Sequence, residues 1–312
     1  MPDLLSIGEC MVELFSDQPI EDADTFARSL AGDSFNLLVA AQRLGTQTGY
    51  ITRLGDDAFA GYLLNTWRGE GIDTTAVKTV PGFNAMHFVA LLQGGDREFV
   101  YYRKGSAPST MQPDDLDAEY IGAAKIQHLS GITQAISASA RATVLKAARI
   151  AKEQGVAVSY DPNYRHQLWS HDEARAAMEE ILPYVDYMLP GAPADSSVLL
   201  GTDDAHETIR HFRARGVPVV AVTRGELGAV VASDEGVFDV PAYRPDGPVD
   251  TTAAGDAFKG GFFHGMLNGM GIEQAARLGT VTAGLKLRGR GALTGMPYRD
   301  EVFAVLKKLR GG

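Results

Sequence analysis

The sequence predicts an α/β fold in which helices flank a mostly parallel β-sheet. Between residues 125 and 223, short apolar runs typical of strands alternate with longer segments of helical periodicity. Elements in this order form parallel strands joined by crossover helices, and ligands bind beyond the carboxyl ends of such strands. A second observation is a polar, turn-forming stretch at residues 250–256 that leads into a helical pattern and indicates where an anion could bind.

The amino-terminal segment contains a strand followed by two helices. Residues 4–15 form an apolar, strand-like run. A helix is expected from about Asp33 to Gly45, where apolar residues share one face and the glycine marks the end. Asp33 or Ser34 would make an ordinary helix cap, which requires no ligand. Residues 57–70 predict a second helix with apolar side chains every four residues, which indicates core packing.

Two extended runs follow these helices. Residues 85–92 and 97–103 are joined by a Gly-rich turn at residues 93–96, which predicts a β-hairpin. Tyr101 and Arg103 lie on the same face of the second run, because side chains alternate across a strand. Exposed tyrosines and arginines on a strand are most often ordinary surface residues, so this pair alone does not indicate a site.

The central α/β segment can be divided into its elements. The predicted strands are residues 125–129, 156–160, 185–189 and 217–223, and the predicted helices are residues 139–154, 172–182 and 204–215. The loops that begin at Asp161 and Thr223 follow two of these strands and therefore lie at the ligand-binding edge of the sheet. A further helix is predicted at residues 272–287.

The start of the helix near Ala254 carries the clearest chemical signal. Ala254 and Gly255 have almost no side chain, so their backbone N–H groups, unpaired at a helix start, can approach an anion closely. These residues therefore predict a phosphate cradle. Asp256 beside it would either take a proton from an attacking hydroxyl or stabilise the helix dipole, and the residues alone leave both roles open.

Composition limits the partners of the protein. The 312 residues are 45% hydrophobic and 22% charged, as in a globular protein that buries a large core. A net charge of −10 argues against a nucleic-acid or anionic-membrane partner. The single cysteine, Cys10, excludes a disulfide framework and lies in an apolar run, so a buried structural thiol is expected. With no basic leader and no membrane-length apolar run, a cytoplasmic location is expected.

Two stretches at opposite ends of the chain resemble one protein family. Residues 250–258, Asp-Thr-Thr-Ala-Ala-Gly-Asp-Ala-Phe, resemble the C-terminal signature of the ribokinase (PfkB-type) carbohydrate kinases. Residues 31–36 and 53–61 resemble the N-terminal signature of the same family. The resemblance implies a single ribokinase-like domain over residues 1–312, in which strands from about 11–30 and 84–104 form a small β-sheet lid over the sugar site.

The family resemblance also implies roles for individual residues. It implies ATP and Mg²⁺ as cofactors, Asp256 as the catalytic base, and a phosphate-binding anion hole at the start of the helix. The implied sugar-binding residues are Gly32, Asp33 and Asn36, and the implied ATP-binding residues are Thr223, Gly225, Gly228, Ala253, Ala254 and Gly255. Where most members of the family carry Gly, this chain has Ala253, which is expected to hold a backbone conformation that Gly accepts more freely.

Metal ligands are not assigned by the resemblance. The family carries an Asn-x-x-Glu element that helps to arrange the water shell of Mg²⁺, whereas this chain has Pro-Gly-Ala-Pro-Ala-Asp at residues 190–195. Asp195 is the acid nearest the expected place. Asp250 and Thr252 are candidates for a monovalent-cation loop.

Within the family, several stretches together resemble the 2-keto-3-deoxygluconate kinases. The resemblance rests on residues 8–14, on residues 101–103, on residues 161–165 with Leu168 and Trp169, and on residues 250–258. It implies a small sugar acid as substrate, a homo-oligomer, and substrate contacts from His87, Tyr101, Arg103 and Arg165. A kinase of a neutral sugar such as fructose or ribose, and a catalytically silent sugar-binding protein on the same fold, are the alternatives.

Overall fold

The elements of the fold are numbered here in chain order. The computed structural model of the protein describes residues 1–91 and 97–310. The strands are β1 Leu4–Ile7, β2 Met11–Ser16, β3 Ala27–Ala31, β4 Thr48–Gly55, β5 Val77–Val80, β6 Met86–Leu91, β7 Arg97–Tyr102, β8 Ile126–Ser130, β9 Ala157–Asp161, β10 Tyr187–Met188, β11 Val219–Thr223, β12 Ala229–Ser233 and β13 Gly236–Val240. The helices are α1 Asp33–Leu44, α2 Ala60–Gly69, α3 Ala118–Gly122, α4 Gly131–Ala135, α5 Ala138–Glu153, α6 His171–Ile181, α7 Ser196–Leu200, α8 Ala205–Ala214, α9 Ala254–Leu267, α10 Ile272–Lys286 and α11 Arg299–Arg310.

A nine-stranded sheet forms the centre of the molecule. Its strand order is β13-β12-β11-β10-β9-β8-β1-β4-β5. The strands from β11 across to β5 pair in parallel, whereas β12 and β13 add an antiparallel edge. The mostly parallel sheet predicted from the βαβα order is therefore confirmed.

Both faces of this sheet are covered by helices. In β1, Leu4 and Leu5 are both fully buried but pack into different core clusters, because successive side chains point to opposite faces of a strand. The cluster around Leu5 includes buried residues of α5, α6 and α8. The cluster around Leu4 includes buried residues of α1, α2 and α9. The helices that carry the predicted site residues thus share one face of the sheet.

A separate four-stranded sheet lies apart from the large one. Its order is β3-β2-β6-β7, in which β2 and β6 pair in parallel and the outer pairs are antiparallel. Its strands come from the two stretches of chain from which the sequence predicted a small sheet. The turn predicted at residues 93–96 lies outside the described residues.

The second helix begins later than the sequence predicts. The prediction places its start at Asp57, but α2 begins at Ala60. One carboxylate oxygen of Asp57 accepts the backbone N–H of Phe59 at 2.9 Å, and the other accepts that of Asn84 at 2.7 Å. The side chain thus stabilises a turn and ties it to a neighbouring loop, which keeps these residues out of the helix.

Candidate active site

One large cavity lies between the carboxyl ends of the parallel strands and the small sheet. Its volume is about 1000 Å³. Most of the predicted site residues line it, although they come from distant parts of the chain. They are Gly32, Asp33, Asn36, His87, Tyr101, Arg103, Arg165, Thr223, Ala253, Ala254, Gly255 and Asp256. The cavity therefore occupies the edge of the sheet that the sequence predicts.

The start of α9 forms one end of this cavity. Ala253 precedes the helix in the left-handed conformation, with φ 60° and ψ 14°. A non-glycine residue adopts this conformation at a cost of about 1 to 2 kcal/mol. The strained residue turns the chain so that the helix begins at Ala254, with its first N–H groups at the positive end of the helix dipole. This geometry suits a phosphate group.

Asp256 lies in the first turn of the same helix and is 9% exposed. Its Oδ2 accepts a hydrogen bond from Asn36 Nδ2 at 2.9 Å, and its Oδ1 lies 3.4 Å from Lys259 Nζ. Burial raises the pKa of Asp256, and the ammonium of Lys259 opposes that rise. The carboxylate is thus oriented by two donors and accessible from the cavity, as a base for a hydroxyl proton must be.

Lys259 is a buried cation between two carboxylates. It is 6% exposed, one helical turn after Asp256, and it forms an ion pair with Asp161 at the end of β9. Burial lowers the pKa of the Lys259 ammonium, but the carboxylates of Asp161 and Asp256 outweigh this effect and raise it. Lys259 therefore stays protonated and stabilises the negative charge at this end of the cavity.

The first turn of α1 lies against Asp256. Asn36 joins the two helices, because its Oδ1 accepts the N–H of Gly32 at 3.3 Å while its amide donates to Asp256. Asp33 accepts hydrogen bonds from Ser130 and, at 3.2 Å, from Asn163 Nδ2. The predicted role of Asp33 as a simple helix cap does not apply, since Gly32 is the cap residue and the carboxylate bonds to the last residue of β8 and to the loop after β9.

Close helix packing fixes α1 against α9. A Cβ atom at Gly260 would lie 2.4 Å from Ala40 Cβ and 2.7 Å from the carbonyl oxygen of Leu37, so only glycine fits there. Below this contact, Phe35 of α1 packs against Tyr50 and Trp67 at ring centroid distances of 5.8 and 6.0 Å. The distance from Asn36 to Asp256 is therefore held by the core itself.

The small sheet contributes a wall of aromatic and acidic side chains. His87 is buried, with Nε2 3.2 Å from Glu13 Oε2, and its ring stacks on Tyr101 at 5.5 Å. Tyr101 also stacks on Phe99 at 6.0 Å. All four side chains line the cavity, so this wall offers flat apolar surface together with hydrogen-bonding groups.

Arg103 is paired with a buried acid. Its Nη2 lies 2.6 Å from Glu9 Oε2, and Glu9 also accepts a hydrogen bond from Ser106 at 3.2 Å. Burial raises the pKa of Glu9, although the Arg103 guanidinium and the Ser106 hydroxyl oppose the rise. Arg103 is thus not a surface residue of the small sheet, because most of its side chain is enclosed at the cavity wall.

Arg165 lies at the cavity in a more open setting. Its side chain is exposed, and Nη1 donates to the carbonyl oxygen of Tyr164 at 2.8 Å. Asp161, four residues earlier in the chain, pairs with Lys259 and not with Arg165. Burial raises the pKa of Asp195, and the nearby guanidinium of Arg165 is one of the groups that oppose this rise.

The turn after β11 is only partly within the cavity. Thr223 lines it, whereas Gly225 and Gly228 are not among the described residues at its surface. Gly228 has φ 92°, and a Cβ atom there would lie 2.1 Å from the carbonyl oxygen of Val240. Close packing against the end of β13 thus accounts for this glycine.

Comparison with known proteins assigns this geometry to a family. A profile described as pfkB family carbohydrate kinase matches residues 1–299. The chain belongs to the pfkB family of carbohydrate kinases. It is 33% identical to a 2-dehydro-3-deoxygluconokinase of Thermoproteus tenax over 99% of this chain and 95% of that protein. It is 29% identical to probable fructokinase-4 of Arabidopsis thaliana over 97% of this chain and 96% of that protein.

A solved structure extends the comparison to three dimensions. The crystal structure of a putative ribokinase II from E. coli in complex with ATP and Mg²⁺ has a TM-score of 0.91 to this chain at 25% identity. The match covers 99% of this chain and 100% of that chain. The ribokinase-like fold predicted from the sequence is therefore confirmed for this pfkB family kinase. No helix in residues 1–91 and 97–310 is long and apolar enough to cross a membrane.

The acidic residues of this kinase determine how Mg²⁺ could be held at the cavity. Asp161 is paired with Lys259, Asp256 is bonded to Asn36, and Asp195 accepts the N–H of Gly191 at 2.6 Å. Among the described residues, no group of three or more His, Cys, Asp or Glu side chains is placed to hold a metal ion. Mg²⁺ keeps several waters and favours phosphate oxygens. The site therefore fits an ion held mainly by phosphate and water.

Sequence reasoning missed several residues of the cavity of this kinase. Glu9, Met11 and Glu13 all line it. The available signal was that Glu9 and Glu13 are four residues apart in an otherwise apolar run, because an even spacing places both side chains on one face of a strand. Lys259 was missed as well, although a lone charge within the apolar run of α9 could have drawn attention to it.

Proposed function

We propose that this carbohydrate kinase transfers the γ-phosphate of ATP to a hydroxyl of 2-keto-3-deoxygluconate, giving 2-keto-3-deoxy-6-phosphogluconate. The small sheet of β2, β3, β6 and β7 is the lid of a single kinase domain over residues 1–312. The proposal combines the family assignment with the charges that line the cavity.

The proposed reaction takes place at the start of α9. The sugar lies against Gly32, Asp33 and Asn36, with its hydroxyl directed at Asp256. As the phosphorus–oxygen bond to the leaving nucleotide lengthens, the hydroxyl oxygen approaches phosphorus and its proton passes to the Asp256 carboxylate. The N–H groups of residues 253–255 stabilise the charge on the transferred phosphoryl group.

The nucleotide would extend from this anion hole towards the turn after β11. Thr223 lines the cavity on that side, and Gly225 and Gly228 are proposed to offer backbone contacts outside it. Mg²⁺ bound with the nucleotide would neutralise part of the phosphate charge. Lys259 supplies a further fixed positive charge close to Asp256.

Arg165 is the observation that favours a sugar acid. Its guanidinium is directed to the cavity, and the acids next to it are engaged elsewhere, Asp161 by Lys259 and Asp195 by backbone N–H groups. A substrate carboxylate would match this charge, and the planar guanidinium can hold both carboxylate oxygens. Arg103 is partly neutralised by Glu9, so it is expected to position the carboxylate rather than balance its charge.

A neutral sugar is the second candidate, and one observation favours it. Glu9 and Glu13 are buried at the small-sheet side of the cavity, where carboxylates accept hydrogen bonds from sugar hydroxyls and repel an acid. Probable fructokinase-4 is also a relative of this chain. A catalytically silent sugar-binding protein is the third candidate, although the bonded and accessible Asp256 supports catalysis.

A substrate panel distinguishes these candidates. ADP release by the purified protein with ATP and Mg²⁺ would be measured with 2-keto-3-deoxygluconate, its C4 epimer, fructose and ribose. The sugar acids are expected to give the highest kcat/KM. Preferred turnover of fructose or ribose would overturn the sugar-acid assignment, and the absence of ADP release with all four would favour the silent protein.

Replacing Asp256 tests the proposed mechanism. Asp256→Asn keeps the shape of the side chain but cannot accept a proton, so kcat is expected to fall by at least about a hundredfold. ATP binding, measured by calorimetry, is expected to change little. Asp172→Asn is the matched control, because Asp172 is also a first-turn acid of a helix but is exposed on α6. Near wild-type kcat in Asp256→Asn would show that the residue only stabilises the helix dipole.

A further inference from the structure

A second buried lysine lies outside the cavity, at the end of α10. Lys286 is the last residue of that helix, and its side chain is fully buried. Its Nζ donates to the carbonyl oxygens of Asp250 and Gly289, each at 3.1 Å, and lies 3.5 Å from Asp250 Oδ2. The ammonium is thus surrounded by oxygens at the negative end of a helix dipole.

These contacts join two separate stretches of chain. Asp250 Oδ1 accepts the backbone N–H of Thr252 at 2.9 Å and its hydroxyl at 2.8 Å, while Oδ2 accepts the N–H of Gly291 at 2.9 Å. Thr252 is followed at once by Ala253, the strained residue that opens α9. Lys286 therefore ties the loop that enters the anion hole to residues 286–291.

The oxygens around Lys286 are of the kind that a dehydrated alkali cation takes. Backbone carbonyls and carboxylates replace the hydration shell of K⁺ in proteins, and an ammonium has the same charge and needs the same oxygens. An additional cation beside Asp250 would meet the positive charge of Lys286 across a few ångströms. A cation bound at the loop expected from Asp250 and Thr252 would thus compete with Lys286 for these oxygens.

We propose that Lys286 acts as a built-in monovalent cation, so that the phosphate-binding end of this kinase is ordered without K⁺ or Na⁺. Lys286 is a positioning residue, since it acts on the loop of Asp250 and Thr252 and not on the substrate. The inference rests on the proposed phosphate-binding role of residues 253–255.

The wild-type enzyme provides the first test. Its kcat would be measured in a buffer whose only monovalent cation is tetramethylammonium, and again after addition of potassium chloride at constant ionic strength. The change is expected to stay below about twofold, a small effect on the scale of transition-state energies. Stimulation by more than about fivefold would overturn the proposal. The ratio of kcat with potassium to kcat without it is measured with the sugar that the enzyme turns over best, so the test does not depend on the identity of the substrate.

Lys286→Met provides the second test. It removes the charge but keeps an unbranched side chain, so kcat without alkali cations is expected to fall at least about tenfold. Adding potassium or ammonium chloride is expected to raise the kcat of the variant at least about fivefold and to raise its Tm. The Tm of the wild type should stay unchanged. Lys308→Met, at an exposed position of α11, is the matched control and should show neither effect.

Two outcomes with the variant would contradict the proposal. One is full activity without alkali cations, and the other is a folded variant whose activity no cation restores, because Lys286 would then have a purely structural role. If Lys286→Met does not fold, the wild-type comparison alone decides.

Discussion

Replacing Arg165 by alanine tests which part of the substrate this kinase recognises. The guanidinium is exposed at the cavity and donates a hydrogen bond to the carbonyl oxygen of Tyr164. A hydrogen bond to a charged group contributes about 1.5 to 3 kcal/mol, and solvent at an exposed site favours the lower end. Arg165→Ala should therefore lower kcat/KM for the sugar acid by about 10-fold to 160-fold. KM for ATP should change little.

The assay compares two enzymes and two substrates. Wild type and Arg165→Ala would each be measured with 2-keto-3-deoxygluconate and with its methyl ester, which keeps the carbon chain and removes the negative charge. The loss of kcat/KM caused by the substitution should be confined to the acid, because only the acid carries the negative charge that is proposed to pair with Arg165. Arg165→Lys should recover part of the loss, since it restores the charge but not the planar fork.

Two results would refute this reasoning. Equal losses with the acid and the ester would show that Arg165 shapes the cavity and does not bind the carboxylate. A similar loss in Arg149→Ala, an exposed arginine on α5, would show that the effect is not local to the cavity.

Two further predictions concern buried ionisable side chains. Lys259→Met removes a group that lowers the pKa of Asp256, so the acidic limb of the kcat/KM profile should move to higher pH; a lower plateau with an unmoved limb would indicate a structural role. Burial lowers the pKa of His128 to about 3, whereas an unfolded histidine has a pKa of about 6.5. The unfolded chain then binds the extra proton, so this histidine should remove about 2 kcal/mol of stability between about pH 7 and about pH 5. Urea unfolding of wild type and His128→Gln would be measured across this pH range. The free energy of unfolding should fall more steeply with decreasing pH in the wild type, and parallel pH dependences would contradict the prediction.

Local chemistry explains what could be predicted from the sequence. The alternation of strands and helices predicts a mostly parallel sheet, and the small residues at 253–255 predict the start of α9, because both depend on residues that are neighbours in the chain. The left-handed conformation of Ala253 agrees with the expectation drawn from the glycine that most family members carry at this position. These features require no knowledge of distant contacts.

The partners of the charged residues could not be predicted in this way. Asp256 is bonded to Asn36, which lies 220 residues earlier, and Lys259 pairs with Asp161, which lies 98 residues earlier. Arg165 is much nearer to Asp161 along the chain than Lys259 is, yet the pair forms with Lys259. Which cation reaches a buried carboxylate depends on how helices and strands pack, and spacing along the chain does not contain that information.

The glycine contact between α1 and α9 has a consequence for redesign. Because Gly260 brings the two helices together over Ala40, the proposed sugar-binding residues of α1 and the proposed base Asp256 belong to one rigid body. His87 and Tyr101 lie on strands of the small sheet, and Arg103 follows directly after β7. New substrate preferences should therefore be obtainable by exchanging those strands as a cassette, while the reacting groups keep their spacing.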